Sequence, residues 1–265
     1  MSRIGFECEL DGASAHQYVP LLRERGLWNV PADPPQYYTA ADFTRAHPNH
    51  CTCPACAFGN SKLRPMLDCT VTAEIVSDPM LWPSDDAEIV LSELEEIIRI
   101  AGGQASQRAG FHIHVEKPPG VPVQRVVDYF CWYEHALAVY ARQAQPCVRP
   151  YNTWLSAPVG REHRTNKERL NAARIFRKVT SPYKGQNLAN RHDTYEFRIW
   201  NSTVDAWRMH FAIDMTAAFI KAVADMPDIE HTPPDKQPPL LDFVGPHMTD
   251  TGFAFAVRHL ATLEN

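Results

Sequence analysis

A chain of 265 residues can build one large hydrophobic core or two small ones. A formal net charge of -5, with no long Lys/Arg run, excludes bulk binding to DNA or RNA. The opening MSRIGFECELDG holds no apolar stretch of signal-peptide length and no segment approaches membrane-spanning length, while an odd count of 7 cysteines, three of them within six positions, favours a reducing compartment. Together these features predict a cytoplasmic protein that stays off membranes.

The first predicted strand is Arg3 to Leu10. Alternation puts Glu7 and Glu9 on one face and Phe6, Cys8 and Leu10 on the other. Next comes HPNHCTCPACAFGN, with His47, His50, Cys51, Cys53 and Cys56, followed by Cys69. Three close thiols flanked by imidazoles suit a closed, structural zinc knuckle across residues 47–69. His50, Cys51, Cys53 and Cys56 are the expected ligands, with His47 or Cys69 as alternatives for the fourth place; metal-free loop cysteines are the competing reading. Cys8, Cys131 and Cys147 read as ordinary core or helix cysteines.

Thr72 to Ser77 is a second strand, with Glu74 opposed by Ala73 and Ile75. A helix follows over Asp85 to Ile100: Ser84 can cap it, acids fill its first turn, Gly102-Gly103 stop it, and Ile89, Val90, Leu94, Ile97 and Ile98 form its apolar face. Gly110 to Glu116 is a third strand, with His112 and His114 on one face and Phe111, Ile113 and Val115 on the other. Helices are predicted over Val123 to Gln143, with Val126, Val127, Phe130, Leu137 and Tyr140 as core residues, and over Asn166 to Lys178. The strand Thr194 to Trp200 sets Glu196 and Arg198 against Tyr195, Phe197 and Ile199. A helix over Val204 to Met226, a Pro-rich extended strap spanning residues 226–246, and a last helix over Thr251 to Leu263 complete the chain. The pattern predicts a single α+β domain over residues 1–265 with a mainly antiparallel sheet backed by helices. No Gly-rich loop of dinucleotide or P-loop type follows a strand.

Each strand has one polar face. In one sheet, these faces would gather four carboxylates, two imidazoles and a guanidinium. Carboxylates held together repel, and a divalent cation relieves the repulsion. Mostly oxygen ligands with an imidazole suit Mg²⁺ or Mn²⁺ better than Zn²⁺. Glu7 and Glu9 are then expected to lean toward two different cations.

The succession GFECEL, DCTVTAEIVSDPM, AGFHIHVE, YKGQNL and YEFRIWNSTVD is similar to the amidoligase family of carboxylate–amine ligases, related to glutamine synthetase and glutamate–cysteine ligase. The resemblance runs from Ile4 to about Met215 and implies a curved, glutamine-synthetase-like sheet that uses ATP and Mg²⁺ or Mn²⁺. It implies that Glu7, Glu196 and His112 hold one cation and Glu9 and Glu74 the other, with Asp78 or Asp68 completing the second. His114, Lys184 and Asn187 would contact nucleotide, and Arg198 would clamp the transferring phosphate. Asp68 and Thr70 match an Asp-x-Ser element, and Glu74 or Asp68 would take a proton from the amine. The implied reaction joins small-molecule or peptide carboxylate and amine substrates through an acyl phosphate. The rival readings are a kinase acting on a carboxyl or guanidino group, a non-catalytic zinc-stapled binding module, and a metal-dependent hydrolase.

Overall fold

The computed structural model describes residues 1–28, 62–66, 71–143, 188–190, 193–227 and 238–261. In chain order the elements are β1 (Ser2–Leu10), α1 (Ala15–Glu24), β2 (Leu63–Met66), β3 (Ala73–Ser77), β4 (Met80–Trp82), α2 (Asp85–Ala101), β5 (Gly110–Glu116), α3 (Val123–Gln143), β6 (Leu188–Asn190), β7 (Thr194–Asn201), α4 (Ala206–Asp225), α5 (Leu240–Val244) and α6 (Asp250–Ala261). Among the described residues seven strands form one sheet in the order β2-β3-β1-β5-β7-β6, with β4 also paired to β1, and every pairing is antiparallel. The protein is therefore a mixed α/β structure with an antiparallel sheet and helices.

The two-residue alternation read from the sequence separates the faces of this sheet. Phe6, Cys8, Leu10, Ile75, Phe111, Ile113, Val115, Tyr195 and Phe197 are buried on the helix side. Helix α4 packs against β1 and β5 and also meets α2, α3 and α6. Being surrounded, it buries residues around its whole circumference, including Phe211, Ile213, Met215, Phe219 and Ile220. Phe219 meets Phe130 and Phe197 edge-on, tying α3 and β7 to this helix. The predicted core residues of α3 (Val126, Val127, Phe130, Leu137 and Tyr140) are all buried.

Local rules explain the helix ends. Ser84 accepts a hydrogen bond from the Ala87 amide at 3.2 Å, Asp85, Asp86 and Glu88 fill the first turn, and Gly102 ends α2 at φ +80°. Asp205 caps α4 by accepting from the amides of Trp207 and Arg208. One expected core residue of α2 is misplaced: Ile89 is 58% exposed, because the buried face runs through Val90, as expected, and Leu91.

Four elements go beyond those that the sequence pattern predicts. α1 carries the signature of a helix start, since Gln17 accepts from the Ser14 amide at 2.9 Å, but Pro20 within it obscures the pattern. β2 contains Pro65, which a sheet-edge strand tolerates. β4 and β6 have only three residues each. The strap also needs correction: Leu240–Val244 is helical, and Gly245–His247 continues as a 3₁₀ turn. Tyr133 donates to the Pro238 carbonyl at 2.9 Å, and its ring stacks on Phe243 with centroids 4.7 Å apart, so contacts with α3 order this part of the chain. The predicted helix over Asn166 to Lys178 lies outside the described residues.

The register of β5 with β7 is interrupted once. Ile113 faces Phe197 but Phe111 faces Trp200, so β7 holds one extra residue in this interval, a bulge. Helix α6 is fastened through Asp214, which accepts from Trp82 Nε1 at 2.9 Å, the Thr249 amide at 3.0 Å and the Thr249 hydroxyl at 3.1 Å. No described helix is long and apolar enough to cross a membrane.

Candidate active site

The polar face of the sheet gathers its side chains by register. Glu7 on β1 is the direct partner of His112 on β5, Glu9 of Glu74 on β3, and His114 of Glu196 on β7. His112 Nδ1 stands 3.1 Å from Glu7 Oε2, and His114 Nε2 stands 3.0 Å from Glu7 Oε1. Glu196, fully buried, approaches His112 Nδ1 to 3.9 Å and accepts from Arg198. Glu9, also buried, accepts from the Gly110 amide at 2.6 Å and stands 3.6 Å from His112 Nε2.

Burial by itself would raise the Glu7 carboxyl. Hydrogen bonds from both imidazoles, with their charge, outweigh it and hold the group well below the usual carboxylate range. Glu7 is thus ionised in a partly desolvated place, which is the state a cation ligand needs.

Two sets of donor atoms converge. Those of Glu7, His114 and Glu196 lie within 4.8 Å of one another, and so do those of Glu7, Glu74 and His112, leaving Glu7 common to both. This differs from the grouping that the family resemblance implies, in which His112 joins Glu7 and Glu196, Glu9 joins Glu74, and His114 contacts the nucleotide. In the structure Glu9 belongs to neither set; its Oε2 is engaged by the Gly110 amide. Asp78, in the turn between β3 and β4, also belongs to neither set; burial raises its carboxyl, opposed by Lys62 and Arg3. Asp68, Thr70, Lys184, Asn187 and the proposed zinc ligands His47, His50, Cys51, Cys53, Cys56 and Cys69 lie outside the described residues.

Sequence reasoning passes over two contributors. Ser202 donates to the Glu9 carbonyl at 2.5 Å, fixing the end of β1; it stands past the last predicted strand, and nothing in its local sequence marks it. Arg64 lies on β2 between buried Leu63 and buried Pro65, hence on the same face as Glu74. The alternation of LRPM is the available signal, masked by its proline.

A family described as "Putative amidoligase enzyme" matches residues 38–220. That stretch includes Glu74, His112, His114, Glu196 and Arg198 and begins after Glu7 and Glu9. No curated protein matches the chain. Among solved structures, one match is the crystal structure of the complex between prokaryotic ubiquitin-like protein Pup and its ligase PafA. It shows 9% identity and a TM-score of 0.38, covering 94% of this chain and 51% of that one, so this chain spans about half the length of its counterpart. With the family model matching well over half of its length, the chain belongs to the amidoligase family.

Proposed function

We propose that the protein is an ATP- and divalent-cation-dependent ligase that joins a carboxylate to an amine through an acyl phosphate. The observation that carries this reading is the meeting of Glu7, Glu74, Glu196, His112 and His114 in two donor sets that share one carboxylate. The fit to cations is chemical. Three carboxylates and two imidazoles are a donor set for Mg²⁺ or Mn²⁺, and His112 Nε2 is buried with no hydrogen-bond partner. Glu7, His114 and Glu196 would hold one ion, and Glu7, Glu74 and His112 a second. When bound, such ions neutralise the charge of phosphoryl transfer.

The chain's own groups supply the rest. A carboxylate is a poor electrophile because it is already negative, so the acid must first be phosphorylated. The Arg198 guanidinium, held by Glu196 at the edge of the site, is placed to orient the anionic phosphate. Glu74 is only half-buried on β3, and its carboxylate oxygen can accept a proton from the attacking amine. The acid and the amine are read as small molecules or peptides, the sheet as the curved platform of glutamine-synthetase-like ligases, and the chain as one catalytic domain working in the cytoplasm. The 47–69 segment is read as a structural zinc knuckle, which metal analysis of purified protein would test directly.

The deciding experiment measures ADP release with ATP, Mn²⁺ and a panel of acids, with and without hydroxylamine as a general amine. A ligase forms hydroxamate and needs both acid and amine. ADP and phosphorylated acid formed equally well without amine would identify a kinase. Amide cleavage with no nucleotide would identify a hydrolase.

A further inference from the structure

We infer that Arg64 is a specificity-determining residue that binds the carboxylate of the acid substrate, an inference that rests on the ligase reading. Register defines a row across the polar face: Arg64 on β2 pairs with Val76 on β3, Val76 with Glu7 on β1, and Glu7 with His112 on β5. Two strand spacings separate Arg64 from Glu7, about 10 Å between backbones. An arginine side chain spans much of that gap. In the row itself lies Val76, with Gly5, which has no side chain, one pleat along β1 and Glu74 beside Val76 on the same face of β3.

The charges around this floor are asymmetric. On the β7 side the guanidinium of Arg198 is engaged by Glu196, next to the two donor sets. On the β2 side stand Arg64 and, on the same face of β1, Arg3. Lys62 precedes β2 and pairs with Asp86 at 3.5 Å. Glu74 and, just past the end of β3, Asp78 are the acids two positions either side of Val76, and Asp78 senses both Lys62 and Arg3. The reaction brings two anionic partners together, a triphosphate and a carboxylate. Both cannot rest on Arg198. Arg64, half-buried at the opposite flank on the same face as the carboxylate cluster and diagonal to Glu74, carries the planar pair of donors that a carboxylate accepts. Arg64 would therefore hold the acid with its reacting group directed toward Glu7 and Glu74.

The test uses the full chain with ATP, Mn²⁺, hydroxylamine, and a panel of acetate, succinate, L-aspartate, L-glutamate and carboxylate-bearing peptides. For the acid that the unaltered protein turns over best, Arg64→Ala should raise KM for that acid about 10- to 100-fold. KM for ATP and kcat at saturating acid should change by less than about threefold, and Arg64→Lys should recover part of the loss. Melting curves of both variants establish that they fold. An unchanged KM for the acid in a folded Arg64→Ala overturns the inference while leaving the ligase reading standing. A rise confined to KM for ATP also overturns it, placing Arg64 at the nucleotide. If the unaltered protein shows no acid-dependent ADP release with any member of the panel, the ligase reading falls and takes this inference with it.

Discussion

Oε2 of Glu7 and Nδ1 of His112 stand 3.1 Å apart, although 105 positions separate the two residues in the chain. Antiparallel pairing of β1 with β5 makes them neighbours. Because both donor sets include Glu7, its neutral isostere should damage both together. Glu7→Gln is expected to lower ATP turnover by about 100-fold or more and to abolish any rise in melting temperature caused by Mn²⁺, with circular dichroism unchanged. Near-normal turnover in this variant would remove the proposed cation platform.

Gly252 on α6 lies against Asp214. A β-carbon there would collide with Asp214 Oδ2, which accepts from Thr249. Gly252→Ala must therefore push α6 away or break that acceptor's contacts. The expected cost is about 1–3 kcal/mol, with faster proteolytic cutting between Gly245 and Thr249 than in the unaltered protein. Equal melting temperatures would show that α6 moves aside freely.

Asp11 ties the end of β1 to the loop before β5. Its carboxylate accepts from Ser106, from Arg108 Nη2 at 3.0 Å on each oxygen, and from Thr72 Oγ1 at 3.0 Å. The Ser106 hydrogen bond is the largest influence; burial, next in size, opposes it, and Arg108 and Thr72 add to Ser106 so that the carboxyl is lowered. A carboxyl lowered by folding stabilises the folded state above its unfolded value, near pH 4, and loses that contribution as pH falls through the folded value. Asp11→Asn should melt lower than the unaltered protein at pH 7, with the gap narrowing below about pH 4. A gap that stays constant over pH 3–7 would mean that the charge contributes nothing.

Cys8 sits between Glu7 and Glu9 in sequence but points into the core, fully buried, with Sγ 3.8 Å from the Thr203 carbonyl. Burial first, then the negative charges of Glu9 and Glu74, push its thiol far above the ordinary range. The thiolate is the reactive form, so Cys8 should resist iodoacetamide at pH 8 in the native protein and react fully in guanidinium. Peptide mapping by mass spectrometry checks this. Rapid native labelling would contradict the burial of β1.

What the sequence discloses comes from period. Glu7, Glu74, His112, His114 and Glu196 each alternate with apolar neighbours that need a core, so their shared face can be read before any fold is known. Partner choice cannot be read this way. That His114 joins Glu196 and Glu7, while His112 joins Glu74 and Glu7, depends on strand register, which is set by pairings far apart in the chain. Short elements escape for a similar reason. Three residues of β4 or β6 do not complete a period, and the prolines of β2 and α1 argue locally against structures that their neighbours impose.

The extra residue in β7 links the catalytic proposal to chain length itself. Upstream of it, Glu196 stays level with His114; downstream, Trp200 rejoins Phe111 in the interior. Taken out, the extra residue would leave Phe197 and the indole two positions apart, matching Ile113 and Phe111, and neither end of the strand would have to turn over. With plain alternation Trp200 would share the face of Glu196; the inserted backbone unit is what lets one strand send a carboxylate to one side and, four positions on, an indole to the other.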